Sequence, residues 1–146
     1  MKGTDPTRPR PLILIVDDCI EQRDLYELAL EPDFEIVTAG RGREALVLAI
    51  AKVPDAIVLD LHMPGMDGLE VCRHLKRDPL TADIPVIILT GAEDHGMETE
   101  ALIAGAAALL TKPCSPARLI GTLRAAVARS APPLHFNDPS SVGRRR

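Results

Sequence analysis

Five polar side chains stand where short apolar runs end. Asp17 and Asp18 close LILIV (12 to 16), Asp60 closes AIVL (56 to 59), Thr90 closes VIIL (86 to 89), and Lys112 follows AALL (107 to 110) across Thr111. Taken singly, an aspartate after an apolar run is a common turn former or helix cap, and a single lysine is usually a solvated charge. Taken together they are three carboxylates, a hydroxyl and an ammonium. Three carboxylates gathered in one crevice repel one another unless a cation neutralises them or a proton stays bound. A hard divalent ion is the economical neutraliser: Mg2+ takes a near-octahedral oxygen shell at about 2.1 Å, commonly one or two carboxylates with water and a phosphate oxygen. A carboxylate held there can attack a phosphoryl donor to give an acyl phosphate, with the lysine offsetting charge on the transferring oxygens. Phosphoryl transfer needs mainly positioning and charge compensation, and these residues offer both.

The elements that must position these groups are written in the apolar spacing. The four runs above, with FEIVT at 34 to 38, predict five strands. Between them apolar residues recur at helical spacing: Leu25, Leu28 and Ala29; Ala45, Leu46, Ala49 and Ile50; Leu69, Cys72 and Leu75; Leu119, Ile120, Leu123 and Val127. The connection from Glu93 to Ala104 is weaker, because Gly96 interrupts it and only Met97, Ala101 and Leu102 offer an apolar face. Lys76 falls on a predicted solvent face. Alternating strands and helices imply an α/β, doubly wound, five-stranded parallel sheet with right-handed crossovers. In such a sheet the carboxyl ends of the strands face the functional crevice, which is where the five polar groups fall. Pro64, Gly65 and Gly68 supply turn geometry after Asp60.

Composition narrows the classes. The 146 residues suit one domain, with residues 1 to 11 a flexible lead-in, 12 to 129 the folded unit and 130 to 146 a flexible tail in which only Leu134 and Phe136 could pack. No second domain is expected in the remainder. A net charge of −4 argues against nucleic acid as the main partner, despite Arg144, Arg145 and Arg146. Cys19, Cys72 and Cys114 show no metal-ligand spacing and read as reduced thiols in buried packing, consistent with a cytoplasmic protein. The first apolar run stops at Asp17, and Ala101 to Leu110 is about half a membrane span, so neither a secretory signal nor a membrane partner is expected.

With DD after the first strand, IVLDLHMPGMDG around the third, LTG after the fourth and TKP after the fifth, the chain resembles the receiver domains of response regulators in two-component signalling, over residues 12 to 129. The resemblance implies the flavodoxin-like receiver fold with strand order 2-1-3-4-5. It implies that Asp60 is the phosphoacceptor, Asp18 a direct Mg2+ ligand, Asp17 the acid that holds a metal-bound water, and the His62 backbone carbonyl a third protein ligand, its imidazole not taking part. It further implies that Thr90 moves toward the phosphoryl group, that Lys112 contacts it, and that the Lys112–Pro113 bond is cis. Expected partners are a sensor histidine kinase or histidine phosphotransfer protein and a downstream target protein, with no DNA-binding domain and the receiver a monomer or weak homodimer. Two positions depart from the family's habit: Leu109 stands where an aromatic residue is common, and Cys114 where Phe is common. Both concern how phosphorylation is read out.

Two other classes compete. A degenerate receiver used only as a docking scaffold would lack some of the five chemical positions, all of which are filled. A metal-dependent phosphohydrolase with an Asp nucleophile would need an acidic general acid beside it and a cap, whereas the residue two beyond Asp60 is His62 and no insertion is long enough for a cap. A flavin phosphate would be repelled by the acidic strand ends.

Overall fold

The computed structural model describes residues 10–91, 94 and 96–130. The strands are β1 (Leu12–Val16), β2 (Glu35–Ala39), β3 (Ala56–Asp60), β4 (Val86–Thr90) and β5 (Ala108–Thr111). The helices are α1 (Ile20–Leu30), α2 (Gly42–Lys52), α3 (Gly68–Arg77), α4 (Met97–Ala104) and α5 (Pro116–Ser130). All strand pairs are parallel and lie in the order β2-β1-β3-β4-β5, with Ile15 beside Val58 and Val58 beside Ile87 fixing the register of the centre. The predicted fold class is therefore observed. FEIVT is shifted by one residue: Phe34 is buried but precedes the strand, and Ala39 ends it.

Burial follows position in the sheet. Every residue of β3 and β4 is buried, as expected of central strands covered on both faces. The sheet divides the core in two. On one side Leu14, Ile57, Leu59 and Ile88 pack with Val71, Cys72 and Leu75 of α3 and Ala101 and Ala104 of α4. On the other, Ile13, Ile15, Val58, Ile87 and Leu89 pack with Leu30 of α1 and Leu119, Leu123 and Ala126 of α5.

Four apolar residues predicted to face the core do not. Leu25 and Leu28 of α1, Ile50 of α2 and Leu102 of α4 are exposed, Leu25 at 66% and Leu28 at 69%. Helical periodicity finds a stripe but not its width, and α1 buries Leu30 fully and Tyr26 in part instead. Lys76 is also misplaced by the periodicity. It is half-buried, with Nζ donating to the carbonyls of Ala82 (3.0 Å) and Ile84 (2.6 Å), and burial pushes its ammonium below the ordinary lysine range. The thiols are free, but only Cys72 is buried; Cys19 is exposed and Cys114 half-buried.

Two turns decide how the helices meet the crevice. Asp67 and Glu70 form a reciprocal capping box at the start of α3. Just inside it Gly68 passes so close to the strand that a Cβ there would lie 2.5 Å from the Asp60 carbonyl oxygen. Gly96, at φ 81°, does not interrupt α4 but precedes its first residue as the N-cap. α4 is the shortest of the five described helices. Of the predicted lead-in, Pro11 is tied to β2 by its carbonyl, which accepts from Glu35 N–H at 2.9 Å; residues 1 to 9 lie outside the described residues, as does the tail from 131 on, with Leu134 and Phe136.

Candidate functional site

The predicted carboxylates converge. One oxygen each from Asp17, Asp18 and Asp60 lies within 4.8 Å of the others. Parallel register makes this possible: β1 and β3 are neighbours and end level, so their last side chains and the residues just beyond meet above the sheet edge. Asp17 is 2% and Asp60 7% exposed, whereas Asp18 faces solvent. Thr90, at the end of β4, is buried at 3% exposure beside them in the strand order.

Lys112 reaches across from the end of β5. Its Nζ lies 2.7 Å from Asp60 Oδ1 and 3.9 Å from Asp17 Oδ2. The Lys112–Pro113 peptide is cis, and Lys112 N–H donates to the Thr90 carbonyl at 2.6 Å. Burial raises the carboxyl of Asp60 above the ordinary range, partly offset by the hydrogen bond from Lys112. Burial raises Asp17 too; the Cys19 backbone N–H lowers it and the neighbouring Asp60 charge raises it further. For Lys112 burial opposes the charge, but the hydrogen bond to Asp60 and the carboxylate fields outweigh it, and its ammonium titrates higher than usual.

One oxygen is left over. Asp17 Oδ1 accepts from Cys19 N–H at 2.9 Å, while Asp17 Oδ2 is buried with no hydrogen-bond partner; Lys112, at 3.9 Å, is beyond bonding reach. A buried, unsatisfied carboxylate oxygen costs stability, and here it lies among two further carboxylates. An oxygen-rich, anionic, under-satisfied cluster fits a hard divalent cation. The His62 ring does not join it. Its Nε2 lies 2.6 Å from Asp94 Oδ1, and Asp94 Oδ2 accepts from Gly91 N–H at 2.9 Å, so the ring turns toward the loop after β4.

Two neighbours of the site went unread in the sequence. Gln22, on the first turn of α1, accepts from Lys112 Nζ at 2.9 Å, and Asp94 partners His62. Nothing in the sequence pairs Gln22 with Lys112, which lies 90 residues further along the chain. Beside them an apolar groove of about 700 Å³ opens between α1 and the loop after β5, lined by Leu25, Tyr26, Leu28, Pro113 and Cys114, with Gln22 and Lys112 at its inner wall.

Known proteins resemble this chain in sequence and in fold. The family profile of the response regulator receiver domain matches residues 13–124. The phosphate regulon transcriptional regulatory protein PhoB of Pseudomonas aeruginosa is 40% identical over 121 residues, which make up 82% of this chain and 53% of that protein. The response regulator PleD of Caulobacter vibrioides is 42% identical over 113 residues, 77% of this chain and 25% of PleD. The chain thus spans about half or less of these relatives. Among solved structures, a response regulator of Chloroflexus aurantiacus superimposes with a TM-score of 0.79 at 33% identity, covering 84% of this chain and all of the other. The chemotaxis protein CheY4 of Vibrio cholerae gives 0.76 at 31% identity, covering 80% and 98%.

Proposed function

Because the chain belongs to the response regulator receiver family, whose members are phosphoacceptors of two-component signalling rather than classical enzymes, we propose that it takes a phosphoryl group onto Asp60 from a phosphohistidine. The donor is a sensor histidine kinase or a histidine phosphotransfer protein, and residues 12 to 129 form the unit that is phosphorylated. The observation that carries this reading is the setting of Asp60: a nearly buried carboxylate at the meeting point of two further acids and an ammonium 2.7 Å away.

In the transfer, a carboxylate oxygen of Asp60 attacks phosphorus, the bond from phosphorus to the donor imidazole breaks, and its electron pair leaves with the ring. Asp18, Asp60 and the His62 carbonyl would hold Mg2+, with Asp17 ordering a water in its shell, and the ion supplies charge neutralisation for the phosphoryl oxygens. Lys112 hydrogen-bonds the acceptor before transfer and offsets the added charge after it. Thr90, buried one strand away, supplies a hydroxyl to the new phosphoryl oxygens.

The apolar groove is where the donor protein seats. Lys112 is among its lining residues, so a protein seated there stands beside the ammonium that bonds Asp60, and Leu25 and Leu28 are exposed among the described residues. The net charge of −4 supports a protein target over nucleic acid. No described helix is long and apolar enough to cross a membrane.

The decisive experiment is intact-mass measurement after incubation with a small-molecule phosphodonor and Mg2+. One added phosphoryl group, absent in Asp60→Asn, is expected; its absence from the wild-type chain would favour a scaffold without phosphotransfer. Leu25→Asp with Leu28→Asp is expected to slow transfer from a phosphohistidine protein by about tenfold or more, as loss of central apolar contacts does at interfaces, and to leave transfer from the small molecule unchanged.

A further inference from the structure

Lys112 has more than one master in this crevice. Its ammonium donates to Asp60 Oδ1 at 2.7 Å on β3 and to Gln22 Oε1 at 2.9 Å on α1, and stays 3.9 Å from Asp17 Oδ2. A lysine head on a flexible four-carbon stem is free to swing about a single hydrogen bond. A second acceptor in a different direction fixes the position. Gln22 is half-buried on the first turn of α1, and that helix is held in turn by Arg23, whose Nη1 donates to the Asp17 carbonyl at 3.0 Å.

The chemical type of the second acceptor matters as much as its place. A carboxylate at position 22 would take a share of the ammonium's charge and compete with the acceptor site for it. The neutral amide of Gln22 orients without that competition. It also draws the ammonium toward α1, consistent with its standing beyond hydrogen-bond reach of Asp17 Oδ2, the oxygen left without a hydrogen-bond partner. Gln22 also lines the apolar groove.

We propose that Gln22 is a positioning residue for phosphoryl transfer, holding the Lys112 ammonium over Asp60 from α1. The proposal rests on Asp60 being the phosphoacceptor. Its test uses the full chain and the variants Gln22→Ala and Gln22→Glu, with two readouts: the rate of phosphorylation by a small-molecule phosphodonor at saturating Mg2+, and the Lys112 side-chain ammonium signal by NMR. In Gln22→Ala the rate is expected to fall by about two- to tenfold, the range one hydrogen bond accounts for, with the half-saturating Mg2+ concentration unchanged and the ammonium signal lost to faster exchange. In Gln22→Glu the signal should persist while the rate still falls, since the acceptor is kept and the charge is shared. A wild-type rate in Gln22→Ala, or a rate loss in Gln22→Ala with an unchanged Lys112 signal, overturns the positioning role. Absence of any phosphorylation in the wild-type chain removes its foundation, and is told apart from the other failures because it precedes any comparison of variants.

Discussion

At the scale of single residues the site is held in tension. Burial keeps the carboxyls of Asp17 and Asp60 above the ordinary range, so ionising them costs folding stability. The penalty is absent below the usual carboxylate pKa, where both are protonated folded or unfolded, and complete above their raised values. Stability without metal should therefore fall as pH rises through that interval, and Mg2+ at neutral pH should restore it. Asp17→Asn, which removes a charge whose Oδ2 has no hydrogen-bond partner, is expected to raise metal-free stability at pH 7 by about 1 to 3 kcal/mol and to shrink the gain from Mg2+; thermal melts with and without the ion check both, and an unchanged midpoint would count against the tension. Asp18→Asn should instead raise the Mg2+ concentration needed for phosphorylation. For Lys112→Ala the proper comparison is Lys52→Ala, because Lys52 is exposed whereas Lys76 braces the turn before β4. Phosphorylation should drop only in the first.

At the scale of elements, the loops after β3 and β4 are coupled. His62 on one bonds Asp94 on the other, and Asp94 returns to Gly91 just beyond Thr90. A hydroxyl drawn toward a phosphoryl group would pull on that tie and on α4, the shortest described helix. Leu109, where relatives commonly carry a ring, is half-buried against the α3 and α4 side of the sheet and has little surface to move. Amide hydrogen exchange on phosphorylation is accordingly expected to change across residues 90 to 104, less so in Thr90→Ala; a change confined to the neighbourhood of Leu109 would show a different readout. Gly68→Ala probes the other side of the site. Its Cβ would meet the Asp60 carbonyl at 2.5 Å, and overpacking of this kind costs about 1 to 3 kcal/mol, measurable by urea unfolding. The strands were legible in the sequence because a parallel sheet buried on both faces leaves unbroken apolar runs. The exposed side of α1 was not, since Leu25 and Leu28 obey the helical period while facing solvent, and the period carries no information about what covers a stripe. Gln22 and Asp94 escaped notice for a related reason: each acts through a partner far away in sequence, which only the assembled sheet brings near.

At the scale of the whole molecule, the chemistry and the chain's points of entry and exit lie at opposite edges. The five polar groups crowd the carboxyl ends of the strands. β1 starts at the amino edge, where Leu12 N–H donates to Asp55 and Asp55 N–H to the Leu12 carbonyl. α5 runs back to the same edge: Arg124 bonds Asp33 just ahead of β2 at 2.6 Å, and Ala126 packs with Leu30 and Phe34. Like an instrument wired from the back, the unit presents its working face whole, whatever is joined behind. Attaching a bulky folded reporter after residue 130 should leave the phosphorylation rate from a small donor unchanged, whereas the same reporter inserted after Gly65, in the loop beside Asp60, should suppress it. The stretches of PhoB and PleD that match this chain make up about half of the one and a quarter of the other.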